Sequence, residues 1–104
     1  MAEFEYDNLS EIMNEDRERL EEPPLYRVLI HNDHYTSMEF VVEILEQVFH
    51  HNQATAEQIM MMVHRQGTGC CGEYDREIAE SKVVSVSRRA SEAGFPLRCT
   101  MEKV

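Results

Sequence analysis

The stretch Leu29-Ile30-His31-Asn32-Asp33-His34-Tyr35-Thr36-Ser37-Met38-Glu39-Phe40 decides the fold. It opens in a strand. Between Leu25 and His31, Tyr26, Val28 and Ile30 alternate with Arg27 and His31, the period of a strand with one core face, and Leu29 makes the other face partly apolar. The stretch closes in a helix. Thr36-Ser37-Met38-Glu39 has the form of a capping box, in which the Thr36 hydroxyl accepts from the Glu39 amide and the Glu39 carboxylate reaches back. The helix it starts carries Phe40, Val41, Ile44, Leu45, Val48 and Phe49 at helical spacing. Strand and helix therefore meet at Asn32-Asp33, which sets carbonyl and carboxylate acceptors at a sharp corner beside the apolar Met38.

Downstream, Thr55-Ala56-Glu57-Gln58 repeats the capping pattern and predicts a helix with Ile59, Met60, Met62 and Val63, stopped at Gly67. Gly67 to Gly72 reads as a turn with room for a short strand near Cys70 and Cys71. Asp75 suits the N-cap of a third helix presenting Ile78, Ala79, Val83, Val86 and Ala90, ended by Gly94 and Pro96. Leu97 to Glu102 alternates as a closing strand. The order β-α-α-(β)-α-β lacks the regular βαβα alternation of a parallel sheet. The expected fold is α+β: a small single domain with three helices packed on one face of a short antiparallel sheet.

Upstream, residues 1–22 hold nine acidic residues against two arginines, a net −7 out of −10 for the whole chain of 104 residues. High net charge with sparse apolar residues predicts a disordered acidic N-terminal tail. Pro23-Pro24 blocks any helix from running on. The expected organisation is a flexible extension over residues 1–24 and a core domain over 25–104. The acidic balance argues against nucleic acid and anionic membrane surfaces as partners. No apolar run approaches the roughly 20 residues of a membrane span, and no secretory leader is visible. The chain is expected to be cytoplasmic and monomeric. Cys70, Cys71 and Cys99 form an odd set without C-x-x-C spacing, which fits neither a disulfide scaffold nor a zinc ribbon.

Candidate chemistry gathers at the corner. His64 lies one turn after Met60 and next to Val63 on the second helix. If that face meets the Asn32–Met38 corner, an amide carbonyl, a carboxylate and a neutral imidazole converge above Met38, Val41, Met60 and Val63. Such a corner suits a ligand with a cationic donor at one end and an apolar group at the other; a polypeptide's own N-terminus is one. Taken singly, each feature also has a plain reading: a Met-Val stripe as core, Asn32-Asp33 as an Asx turn, His64 as a surface histidine.

At these residues the chain resembles the ClpS family of adaptors. The resemblance is carried by Leu25 to Ile30, Asn32-Asp33, Tyr35-Thr36, Met38-Glu39-Phe40, Val63-His64, Gln66-Gly67, Cys71-Gly72, Glu77 through Val83, Pro96-Leu97 and Cys99 through Lys103, about four-fifths of the chain. It implies a non-enzymatic adaptor that takes N-degron substrates to a bacterial Clp AAA+ unfoldase–protease, with no catalytic residue, cofactor or metal. Asn32, Asp33, His34 and His64 would bind the substrate's free α-amino group. Thr36, Met38, Val41, Met60, Val63 and Leu97 would line the pocket for a first residue such as Leu, Phe, Tyr or Trp. Glu77 and Lys82 would face the N-domain of a ClpA-like unfoldase, and the acidic extension would engage the same partner. The resemblance also implies a fold like the C-terminal domain of the ribosomal stalk protein.

One position departs from the family pattern. Two acids usually follow the Asn, and here the second is His34, which implies weaker attraction for an amine or a narrower choice of first residue. An accepting imidazole must be neutral, and histidines as a class titrate near pH 6.5, so binding is expected to weaken below about that value. Two other readings use the same residues. One is a metal site from His31, Asp33, His34 and His64, whose spacing is not diagnostic. The other is a cysteine hydrolase pairing Cys70, Cys71 or Cys99 with His64.

Overall fold

The structure is a computed structural model and describes residues 22–104. The expected acidic extension falls almost wholly on residues 1–21, outside the described residues. The elements follow in the order β1 (Tyr26–His31), α1 (Met38–Gln47), α2 (Gln53–Gln66), β2 (Thr68–Tyr74), α3 (Arg76–Ala93) and β3 (Arg98–Lys103). This is the α+β arrangement expected: three helices against a three-stranded antiparallel sheet.

β1 is the central strand, between β2 and β3, and both pairings are antiparallel. Its alternation does what the sequence requires. Val28 and Ile30 are completely buried under the helices. Arg27, on the other face, lies opposite Glu73 and Glu102 and forms ion pairs with both, at 3.4 and 3.1 Å. His31 Nε2 meets Thr100 Oγ1 at 2.7 Å. Ile44 and Leu45 from α1, and Val48 and Phe49 just after it, join Val28 and Ile30 in the core, with Val86 and Ala90 from α3, Leu97 just before β3 and Cys99 within it. His51 Nε2 donates to the Cys71 carbonyl at 2.6 Å and ties the α1–α2 connection to β2.

Three local readings need correction. The cap of α1 is Ser37, whose Oγ accepts from Phe40 N at 3.1 Å; the Thr36 hydroxyl is turned toward the Asp33 carboxylate instead, donating to Oδ2 at 2.7 Å. α2 starts at Gln53, earlier than its Thr55 signal implied, because Asn52 is the cap and accepts from Thr55 N at 2.8 Å. β2 is a full seven-residue strand. Val28 pairs with Gly72 and Leu29 with Cys70, so Cys71 is an extra residue in a bulge. That bulge breaks the period-two pattern on which recognising a strand in sequence depends.

Candidate binding site

The site begins where β1 ends. Asn32 N–H donates to the Gly67 carbonyl at 2.8 Å, and Gly67 N–H donates to Val63 O at 2.9 Å. Gly67 caps α2 at φ 88°, a left-handed conformation that favours glycine. His64 sits in that same last helical turn, so this backbone link holds Asn32 against the end of the helix that carries His64.

Asp33 builds the next turn. Its Oδ1 accepts from the amides of Tyr35 and Thr36, at 2.8 and 2.7 Å, and its Oδ2 accepts from the Thr36 hydroxyl. Partial burial pushes this carboxyl's pKa upward, but the Thr36 and Tyr35 hydrogen bonds and the nearby His34 outweigh it. The net effect holds Asp33 below its ordinary range. Both carboxylate oxygens are thus engaged within the turn, while the negative charge stays at the corner.

The turn and α2 enclose a cavity of about 240 Å³. Asn32, His34 and His64, all exposed, stand at its polar side with Asp33. Met38 and Val41 from α1 and Met60 and Val63 from α2 supply apolar wall, with Thr36 between the two kinds of surface. Val41 and Val63 are buried, whereas Met38 is 42% exposed. Nine of the ten residues expected at the amine and side-chain subsites border this one cavity. Leu97 does not: it is buried in the core just before β3.

Glu77 and Lys82 border a different cavity, of about 490 Å³, between the C-terminal end of α1 and the face of α3. Lys82 Nζ donates to the Val48 carbonyl at 2.6 Å and lies 5.6 Å from the centre of the Tyr74 ring. Its ammonium therefore also holds α3 against the end of α1.

The rival readings find little to build on. Among the described residues, no three His, Cys, Asp or Glu side chains gather closely enough to hold a metal ion. The thiols of Cys71 and Cys99 are buried, and desolvation pushes both pKa values up, that of Cys99 to about 12, so neither presents a thiolate. Glu39, Val42, Gln53, Glu57 and Met61 are not marked as site residues by the sequence, where Glu39 and Glu57 appear only in capping patterns. They border a groove adjoining the cavity, of about 530 Å³, across Met38 and Met60. Their helical periodicity is visible in the sequence, but the packing of α1 beside α2 that aligns them is not.

A small α+β domain with an apolar cavity and a polar mouth is a binding module in its architecture. Comparison with known proteins gives its kind. The family model described as "ATP-dependent Clp protease adaptor protein ClpS" matches residues 21–100. The chain is 51% identical over 88 residues to the ClpS adapter protein of Lawsonia intracellularis, spanning 85% of this chain and 81% of that one. It is 52% identical over 95 residues to that of Nitratidesulfovibrio vulgaris strain Miyazaki F, spanning 91% and 93%. The structure of Agrobacterium tumefaciens ClpS2 bound to L-phenylalaninamide is similar to this fold with a TM-score of 0.77 and 40% identity, covering 80% of this chain and all of that one. The chain belongs to the ClpS family, the adaptors of the ATP-dependent Clp protease.

Proposed function

We propose that this adaptor captures substrates by their first residue, holding the free α-amino group and a bulky apolar side chain together, and passes them to a Clp AAA+ unfoldase. The observation that carries the reading is one cavity with acceptors at its mouth and apolar walls behind them. L-phenylalaninamide, the ligand of the A. tumefaciens relative, has the same two ends: a free α-amino group and a benzyl side chain.

A free α-amino group has a reference pKa of about 7.7–8.0, so near pH 7 it is mostly ammonium, with three donors. The Asn32 amide oxygen and a neutral His64 nitrogen accept from it, and Asp33 adds attraction from the turn. An internal peptide nitrogen offers one donor at most and brings a preceding residue into the mouth. Each acceptor left without a partner costs about 1–3 kcal/mol, and burying a Leu or Phe side chain contributes about 1.5–3 kcal/mol. Methionine walls adapt to several shapes, which suits Leu, Phe, Tyr and Trp alike. His34 puts an imidazole at the mouth where an acid would attract the amine more strongly, which gives weaker amine attraction or a narrower choice of first residue.

For delivery, Glu77 and Lys82 face the N-domain of a ClpA-like unfoldase, aided by the acidic extension of residues 1–24. What supports this is their position at the end of α1 remote from Met38 and Val41, which leaves the first-residue cavity free while the unfoldase is engaged. Fluorescence anisotropy tests the capture step, using peptides that begin with Leu, Phe, Tyr, Trp, Ile or Met, each beside its N-acetylated form. Binding of some free peptides and none of the acetylated ones is expected. Equal binding of both forms would sink the proposal.

A further inference from the structure

The groove beside the first-residue cavity shares Met38 and Met60 with it as a common wall. Val42 and Met61, both half-buried, complete an apolar floor, and the exposed Glu39 and Glu57 stand along its sides. Among the described residues, no basic side chain borders it. Glu39 lies in the first turn of α1. Glu57 receives one hydrogen bond, from Gln53 at 3.2 Å. A floor of aliphatic and thioether groups flanked by two carboxylates complements a long side chain with an apolar stem and a cationic head.

An extended peptide fixes which side chain arrives there. Successive side chains point to opposite faces, and alternate ones point to the same face roughly 6.6–6.8 Å apart. A peptide that places its first side chain in the cavity and runs across the shared Met38–Met60 wall turns its second side chain away and brings its third over the groove. We infer that this groove is a subsite for the third residue of the substrate and selects arginine or lysine there. The inference rests on the first-residue reading above and names a substrate class that reading does not: N-degrons with a bulky apolar first residue and a basic third.

The test is competition anisotropy on the full chain with peptides beginning Leu-Ala-Arg, Leu-Arg-Ala, Leu-Ala-Ala and Leu-Ala-Glu, each free and N-acetylated. Arginine at the third position is expected to tighten binding about threefold to tenfold over alanine, the range of one or two partly exposed charge pairs. Glutamate there should weaken it, and arginine at the second position should gain less than arginine at the third. Raised salt should shrink the gain, and the double variant Glu39→Gln, Glu57→Gln should bind the third-position arginine peptide no better than the alanine one. Equal affinities for arginine and glutamate at the third position would overturn the subsite, as would a gain confined to the second position or one that survives the double variant. Equal binding of the acetylated forms would overturn the amine reading itself, and the subsite with it.

Discussion

At the scale of single residues, the corner separates the residues proposed to meet the ligand from one that shapes the turn. Asn32 and His64 offer acceptors at the mouth, and hydrogen bonds to charged groups are worth about 1.5–3 kcal/mol each. Asn32→Ala or His64→Ala is expected to lower affinity for a free-amine peptide about tenfold or more, with thermal unfolding little changed. Asp33 plays a different part, because its carboxylate already receives three hydrogen bonds inside the turn. Its folded pKa lies below the ordinary value. The stability it contributes is therefore fully present above the unfolded carboxyl's pKa of about 3.9 and is lost as pH falls through the lower folded value. Asp33→Asn should lower the melting temperature at pH 7, and the gap from wild type should close as melting is followed below pH 4. A gap independent of pH would contradict this role.

At the scale of elements, the two halves of the site are joined by the bond between Asn32 N–H and the Gly67 carbonyl. A Cβ at Gly67 would meet no heavy atom within 4 Å, so only its φ of 88° resists substitution. Alanine in that left-handed conformation costs about 1–2 kcal/mol, and asparagine less. Gly67→Ala is expected to destabilise by about that amount in a denaturant titration and to weaken peptide binding as the end of α2 shifts; Gly67→Asn should recover most of both losses. Legibility in the sequence also divides by element. Those with an unbroken period, such as Tyr26-Val28-Ile30 or Phe40-Val41-Ile44-Leu45, are readable because burial writes the period into the chain. The cap at Ser37 is not, because Thr36 turns its hydroxyl to Asp33 and no sequence pattern ranks that pairing against a capping box; nor is the cap at Asn52, which accepts from the Thr55 amide and so starts the helix ahead of the Thr55 signal. β2 is half hidden by its bulge at Cys71. The cavity's residues are legible as a set from their spacing and their family resemblance. The position of Leu97 in the core depends on how β3 enters the sheet, which spacing alone does not express.

At the scale of the whole molecule, the surfaces proposed for substrate capture and for the unfoldase lie at opposite ends of α1. Charge reversal at Glu77→Lys is expected to abolish delivery in a Clp degradation assay while peptide affinity stays within about twofold, since surface changes away from a site usually move free energies by under 0.5 kcal/mol. Loss of both properties together would show that the two surfaces are not independent. Capture as proposed requires the cavity between the Asn32–Met38 corner and α2 to receive a free amine and its apolar side chain at once. An NMR titration with L-phenylalaninamide, beside its N-acetylated form, reads this on the Asn32 side-chain amide, the His64 ring and the methyl groups of Met38, Val41, Met60 and Val63. Saturable shifts confined to these groups are predicted with the free amine, and none with the acetylated compound. Shifts that ignore acetylation, or that fall on other surfaces, would contradict first-residue capture in this cavity.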